Sequence, residues 1–346
     1  MGRIFRLISI LMVFLSQGAI ASAGSDSVSH TVEGSDKTSQ PIILFSTISV
    51  TSRECVLITG RTSFRNSVFI ESCANSGYVK EIKDIGVIKD IAFPAGSGYS
   101  NGFVLLQSGI NRISDFRILG ESVIGDNKDY FNRIISKNNS AYWAVGDEGK
   151  FAYSFDSGRT WELETLGSSL TLLDIVFAGP ASGWMIGIDR EDSGEKQLLF
   201  RTDDAGRNWK PYPKQTFGNV HQVVFTSERN GWLVNNDGDL FTTQDGGNSW
   251  KKRNLGPGKV TGFFFLDDQR GWCLSGDVML ATRDGGGTWS PISRVVGSSD
   301  LLYSIHFASP ENGWLFDDLS VLKTVDGGRT WSKLEVSDRL SRDTLD

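Results

Sequence analysis

Cysteine and histidine are scarce in this 346-residue chain, at three each. That is too few for a disulfide scaffold and leaves little for a histidine-rich metal site. An excess of basic residues is also missing. Lys and Arg total 35 against 41 Asp and Glu, and the net charge of −6 is the wrong sign for a general nucleic-acid binder. Beyond the N-terminus there is no second long apolar stretch, so no permanent membrane span is expected. Charged residues make up only 22% and aromatics reach 11%, a balance that excludes a disordered chain. What the chain does have is ten tryptophans and 39 glycines.

The ends differ from the middle. Arg3 and Arg6 precede the apolar run Leu7 to Leu15, and Ala21-Ser22-Ala23 gives a small-x-small pattern. Residues 1–23 are therefore expected to be a cleaved signal peptide, and losing both arginines would leave a net charge of −8. No cysteine follows the apolar run, so no lipid anchor is expected. Residues 24–40 are polar and aperiodic and read as a flexible leader; residues 338–346 read as a polar tail.

Between them the sequence repeats itself. Ser154-Phe-Asp156-Ser-Gly158-Arg-Thr160-Trp161 returns around Asp204 to Trp209, Asp245 to Trp250, Asp284 to Trp289 and Asp326 to Trp331. Successive tryptophans of this motif lie 48, 41, 39 and 42 residues apart. A second motif keeps step. Phe177, Phe225, Phe265 and Phe307 are each followed seven residues later by the tryptophan of a Gly-Trp pair: Trp184, Trp232, Trp272 and Trp314. Ser136 to Trp143 keeps the spacing with Tyr142 in the glycine's place. All ten tryptophans fall into the two motifs.

The segments between are β-branched or aromatic and bounded by turn residues, as in Gln222-Val-Val-Phe225, and Asp237-Gly238 marks a hairpin. Two weaker units precede the five clear ones. One runs from Asp90-Ile-Ala-Phe93 to Gly102-Phe103; the other has strands expected at Ile42–Val50, Cys55–Gly60 and Ser67–Cys73. Residues 41–337 divide into seven units of about 42 residues. The expected fold is all-β: one seven-bladed β-propeller domain of four-stranded antiparallel blades, with the aspartate turns in the last five.

The aspartate motif is a turn device. Its carboxylate accepts from nearby backbone N–H groups, the glycine two residues on supports positive φ, and the tryptophan leads into the next strand. Read as calcium ligands or catalytic acids, Asp156, Asp204, Asp245, Asp284 and Asp326 would be spread one per blade and would converge on nothing. No metal or cofactor is expected.

These motifs closely resemble the Asp-box, or bacterial neuraminidase repeat, superfamily. The combination of Gly-Trp with Asp-Gly-Gly-x-Thr-Trp most resembles the photosystem II stability and assembly factor family and related exported bacterial proteins. The resemblance covers residues 130–335 strongly and 41–130 weakly. It implies a seven-bladed propeller and a non-enzymatic scaffold for membrane-complex assembly. The same repeat occurs in sialidases, whose early Arg-Ile-Pro is missing here, and in xyloglucan-active glycosidases, which resemble two tandem propellers where this sequence has room for one.

Function must then lie where the repeat is broken. Asp90, Arg133, Asp174, Gln222, Gly262 and Ser304 fall at one equivalent first-strand position, polar and varied where its neighbours are uniform. They are either a partner site at the channel mouth or ordinary residues of a wet channel; Asp90 and Asp174 as a glycosidase-like acid pair is a third reading. A charged insertion at Asp189 to Lys196, with Arg190 and Lys196, is a second candidate surface. Lys210 and Lys214, in a stretch between blades, with Lys251, Lys252 and Arg253 form a third, basic one; the plainer reading is a tolerated solvated insertion for the second and a solvated rim for the third. Cys55 and Cys73 flank the polar stretch 61–66 symmetrically and are expected to form a disulfide, leaving Cys273 a buried free thiol.

The resulting expectation is an exported, periplasmic or secreted, non-catalytic monomer that binds a protein partner in the envelope, in a thylakoid lumen if the organism is photosynthetic. The alternative is a carbohydrate-active propeller, either a sialidase- or glycosidase-like enzyme or a glycan-binding module.

Overall fold

The computed structural model describes residues 43–334, apart from 51–54, 63–66, 74–76, 83–86, 95–98, 125–130, 139, 191–195, 213–216, 254, 256–257, 296–303 and 317–319. The expected signal segment, leader and polar tail lie outside the described residues, as do Lys214 and the tip of the 189–196 insertion.

Among the described residues the protein is all-β, with a single 3-10 turn at Asp147–Gly149. Seven antiparallel sheets form, each from four strands consecutive in sequence. They span residues 43–82, 90–124, 131–165, 170–211, 220–253, 260–294 and 304–333, and are numbered one to seven in that order. Strands expected in the least regular part of the sequence occur at Ile43–Val50, Cys55–Thr62 and Ser67–Cys73.

The first strands of successive sheets touch one another in series, and the first strand of sheet seven touches that of sheet one. Apolar clusters fill the spaces between successive sheets. Trp232, Val234 and Leu240 of sheet five meet Phe263, Phe265 and Cys273 of sheet six in one of them. Another joins Trp314, Phe316 and Val321 of sheet seven to Val56, Ile58 and Ile70 of sheet one. Both faces of the second strands are thus buried, which is why they carry near-continuous apolar runs, such as Gly231–Asn235, rather than strict alternation.

The seven-residue Phe-to-Trp spacing has a packing cause. Phe225 pairs in register with Gly231, and a Cβ on that glycine would lie 2.4 Å from the Phe225 ring. The ring covers the glycine, which leaves the neighbouring tryptophan free to reach the next sheet. There Trp232 stacks on Phe265 with centroids 3.6 Å apart, and Trp272 stacks on Phe307 at 3.8 Å. Sheet three exchanges the partners. Tyr142 pairs with Ser136, so its ring comes from the opposite strand, and it packs edge-on against Phe103 of sheet two. One aromatic ring per cross-strand pair is kept while its source changes.

Candidate functional site

The five aspartate turns share one geometry. In the fifth sheet, Asp245 Oδ1 accepts from Thr243 Oγ1 at 2.8 Å and from the Ser249 amide at 2.9 Å, while Oδ2 accepts from the Ser249 hydroxyl at 2.6 Å. Thr243 Oγ1 in turn accepts from the Gly247 amide. The Ser249 hydroxyl is the main reason that Asp245 ionises at about 2, with its amide and the Thr243 hydroxyl adding to the effect. In Asp284 the Thr288 amide leads, again to about 2. Burial pulls the Asp326 carboxyl upward, but the Thr330 hydroxyl and amide outweigh it and bring it to about 2. Every carboxylate faces its own turn, and no cluster of His, Cys, Asp or Glu able to hold a metal occurs among the described residues.

These turns also join sheets. Gly247 has φ of +82°, and a Cβ there would lie 2.3 Å from the Trp184 ring of the preceding sheet. Trp232 Nε1 donates to the Gly285 carbonyl, and Trp272 Nε1 to Gly327, in the turn of the sheet that follows. Asp268 of sheet six collects Thr226, Ser227 and Asn230 of sheet five. The spacing of the repeats carries no trace of that lock, because each of its members is a common turn residue.

The six first-strand positions aligned by sequence occupy one register. Asp90, Arg133, Asp174, Gln222, Gly262 and Ser304 pair with Leu105, Val145, Ile186, Val234, Leu274 and Phe316, each three residues into its second strand. In sheets three to six the ladder skips the residue just before: Asn132, Leu173, His221 and Thr261. A bulge of this kind bends the strand and re-aims the side chain that follows it. Nothing in the hydrophobic pattern announces it.

Three of the six side chains meet. Arg133 Nη1 donates to both oxygens of Asp90 at 3.2 Å, and Arg133 Nε donates to Asp174 Oδ1 at 3.1 Å. Asp90 is 3% exposed and also accepts from the Ile134 amide at 2.8 Å; Asp174 is 26% exposed and accepts from its neighbour's amide, Ile175. Asp90's charge holds the guanidinium still more firmly protonated, against the opposing effect of burial and with help from Asp174. A second thread runs alongside, from Lys89 Nζ to Asn132 Oδ1 and from Asn132 Nδ2 to Asp147 Oδ1. The sheets beyond are uncharged at this level. Burial, then the charge of Arg133, lowers the His306 imidazole to about 3; burial lowers His221 to about 4. Ser304 Oγ lies 3.0 Å from His306 Nε2. Gln222 sits in the same register without joining the triad.

The other candidates disperse. Arg190 turns back onto its own sheet, its Nη1 donating to Thr171 Oγ1 at 3.1 Å, while Lys196 pairs in register with Asp189 as the second hairpin of sheet four lengthens. Lys210 lies on an outermost strand, Lys210–Pro211, rather than in a connection between blades, because the box tryptophan before it starts a strand. Lys251–Arg253 is the matching strand of sheet five; Lys252 pairs with Asp239 at 2.6 Å, and Arg253 Nε donates to Thr242 Oγ1. Cys55 and Cys73 are register partners on adjacent strands, and Cys273 is a buried free thiol.

The sequence profile of the family described as photosynthesis system II assembly factor YCF48 matches residues 204–294 and 259–345. The photosystem II assembly protein Ycf48 of Synechococcus sp. (strain JA-3-3Ab) is 24% identical over 48% of this chain and 50% of its own length. The photosystem II assembly lipoprotein Ycf48 of Synechocystis sp. (strain ATCC 27184 / PCC 6803 / Kazusa) is 30% identical over 40% of this chain and 41% of its own length. The protein thus spans about half the length, or less, of the curated relatives it matches. A solved structure titled YCF48 bound to D1 peptide superposes with a TM-score of 0.59 at 17% identity, over 83% of this chain and 94% of that one. With its five aspartate turns and its sheets packed through paired tryptophans, the protein is a BNR-type propeller related to the photosystem II assembly factor.

Proposed function

We propose that the protein is an exported, non-catalytic propeller of seven blades that holds a segment of a partner protein at the mouth of its channel, as an assembly factor for a membrane complex of the envelope. Seven four-stranded sheets, the first strands in series and the cluster joining sheets seven and one support a ring closed by packing, as one domain over residues 41–337. Export rests on the N-terminal pattern. Among the described residues no helix is long and apolar enough to cross a membrane. The partner class follows from the relatives named as assembly proteins and from the peptide complex that shares the fold.

The observation that carries the binding reading is the convergence of Asp90, Arg133 and Asp174 on three adjoining first strands. A repeat that needs only packing has no use for a charged array at one register position of three successive blades. The same geometry argues against the glycosidase reading. A retaining or inverting pair needs two clear carboxylates with substrate or water between them, and here the guanidinium occupies that place and binds both. Arg190, Lys196, Lys210, Lys251 and Lys252 lie apart from the triad and serve at most as outlying contacts.

The test is affinity capture from the envelope fraction with the tagged full-length protein, beside an Arg133→Gln variant of matched thermal stability. Reproducible enrichment of one membrane complex, reduced at least tenfold by the variant, supports the reading. Hydrolysis of sialyl or xyloglucan substrates by the purified protein would overturn it. The register pairing of Cys55 with Cys73 supports a disulfide stapling sheet one; peptide mapping without reductant should recover the two as one linked species and Cys273 as a free thiol.

A further inference from the structure

Arg133 is only partly used by its own protein. A guanidinium has five N–H donors in a planar fork. Its Nη1 serves Asp90 and its Nε serves Asp174 Oδ1, whereas no hydrogen bond from Nη2 to a described residue occurs. The side chain keeps 40% of its surface exposed. The edge made by Nε and Nη2, the one best shaped for two parallel bonds to a carboxylate, is thus engaged by a single oxygen of Asp174.

The two aspartates hold the arginine on unequal terms. Asp90 is almost fully buried, meets Nη1 with both oxygens and is pinned by the Ile134 amide. Asp174 makes one contact with the guanidinium, is more exposed, and stands directly after the bulge at Leu173. Its Oδ1 can keep the Ile175 amide after releasing Arg133. Removing Asp90 would strand a buried charge, which is costly. Releasing Asp174 moves a carboxylate that is already a quarter exposed into water while another carboxylate replaces it at the arginine, so the local charge balance is unchanged.

The surroundings restrict the guest. His306, the titratable group of the far sheets that feels Arg133, is neutral across the physiological range and adds no second positive charge. The register positions of sheets five to seven hold Gln222, Gly262 and Ser304. Lys89 is directed to Asn132. A guanidinium flanked by a permanent aspartate suits a single carboxylate better than a phosphate or another multiply charged anion, which Asp90 would repel.

We infer that Arg133 is the receptor for one carboxylate of the partner protein, and that Asp174 is its internal occupant, displaced when the partner binds. This rests on the protein-binding reading and names the chemistry recognised by that site. The carboxylate can belong to a polypeptide's own C-terminus or to an Asp or Glu residue.

The experiment follows the Arg133 Nε–H resonance in the ¹⁵N-labelled full-length protein during titration with three synthetic peptides. These are acetyl-Gly-Ala-Ala-Gly with a free C-terminal carboxylate, its C-terminal amide, and acetyl-Gly-Ala-Asp-Gly amide. A saturable shift is expected with a carboxylate-bearing peptide and none with the uncharged amide. A shift with only the first assigns a polypeptide terminus; a shift with the third assigns an acidic residue. Measured by isothermal titration calorimetry, which does not depend on the Arg133 resonance, Asp174→Asn should tighten binding roughly three- to tenfold by removing the competitor, and Arg133→Lys should weaken it at least tenfold. Asp174→Ser serves as a second competitor-free variant if the first is poorly folded by circular dichroism. Equal response to all three peptides, no response to any, or unchanged or weaker binding on removal of the Asp174 carboxylate would overturn the inference. Envelope capture that succeeds while these titrations fail sinks this inference alone; titrations that succeed while capture fails sink the assembly reading alone.

Discussion

Sheets one and two do without the aspartate turn, and sheets three to seven are built on it. The fourth strands record the difference. In the first two sheets they run for six and eight residues, Gly77–Ile82 and Arg117–Ile124. In the other five they run for only four, two, three, five and two. A two-residue strand has too short a ladder to hold itself. The box tryptophan just before it supplies the missing hold: Trp209 and Trp331 donate to glycine carbonyls inside their own turns, and their rings pack against Phe177 and Phe307. Sheet two replaces this device piece by piece. Asp115 and Phe116, with φ of 48° and 61°, make a tight hairpin turn. Phe103 stands in the tryptophan's place, and Arg112 reaches the Gly158 carbonyl of the next sheet while lying over the Phe103 ring. The long outer strand is interrupted around Gly120, which spoils it as a template for another strand. The lesson is that the turn anchors the outer edge, and a sheet lacking it must extend its own hydrogen-bond ladder.

That comparison can be broken at several points. The largest expected effect is Trp232→Ala, which empties a fully buried site stacked on the next sheet and should cost about 3–5 kcal/mol in denaturant unfolding. Phe103→Ala in sheet two should cost a similar amount; a clearly smaller loss would show that sheet two is not held by the same inter-sheet wedge. Next come two glycines of like φ. Gly120 has φ of +73° with nothing within 4 Å, so alanine there should cost only about 1–2 kcal/mol of backbone strain. Gly247→Ala adds a collision with Trp184, and its cost should exceed that of Gly120→Ala by about 1–3 kcal/mol. Equal losses would mean that the turn glycine matters for its φ alone.

Smaller still is Asp284→Asn, which should lower the melting temperature because an amide nitrogen cannot accept from the Thr288 hydroxyl as Oδ2 does and the charge that strengthens the other two bonds is lost, whereas Asp115→Asn in sheet two should leave it unchanged. The smallest effect is expected on acidification from pH 7 to about 4.5. The carboxylates of Asp245, Asp284 and Asp326 ionise at about 2 in the fold, below the unfolded value of about 4. Their stabilisation is therefore fully present above about pH 4 and is lost as the pH falls through about 2. At pH 3 the protection of amides against exchange, relative to their intrinsic rates at that pH, should fall in sheets three to seven before sheets one and two; the reverse order would take the turns out of the account.

The periodic part of the fold is legible because Phe, Gly-Trp and the aspartate turn recur with fixed spacing, and each spacing reflects a contact made identically in sheet after sheet. The register of Asp90, Arg133 and Asp174 is legible for the same reason. Their union is not. It depends on the rotation between neighbouring sheets and on bulges one residue upstream, and neither leaves a mark in composition. Lys210 reads as part of a connection because a lysine followed by proline looks like a loop; the preceding tryptophan makes it a strand. The Arg112 and Asp268 links are invisible because each replaces or supplements the repeat with residues common on any surface.

Each sheet is completed by four consecutive strands, so each can form its own ladder as soon as about forty residues have left the ribosome. The one nearest the N-terminus is finished first and covered last. Val56, Ile58 and Ile70 wait for Trp314, whose indole N–H meets Ser72 across 242 residues of sequence. For most of synthesis that face is bare. A polypeptide stopped short of residue 314 would present an apolar wall with nothing to cover it, which makes the final sheet the step that separates a soluble molecule from a sticky one.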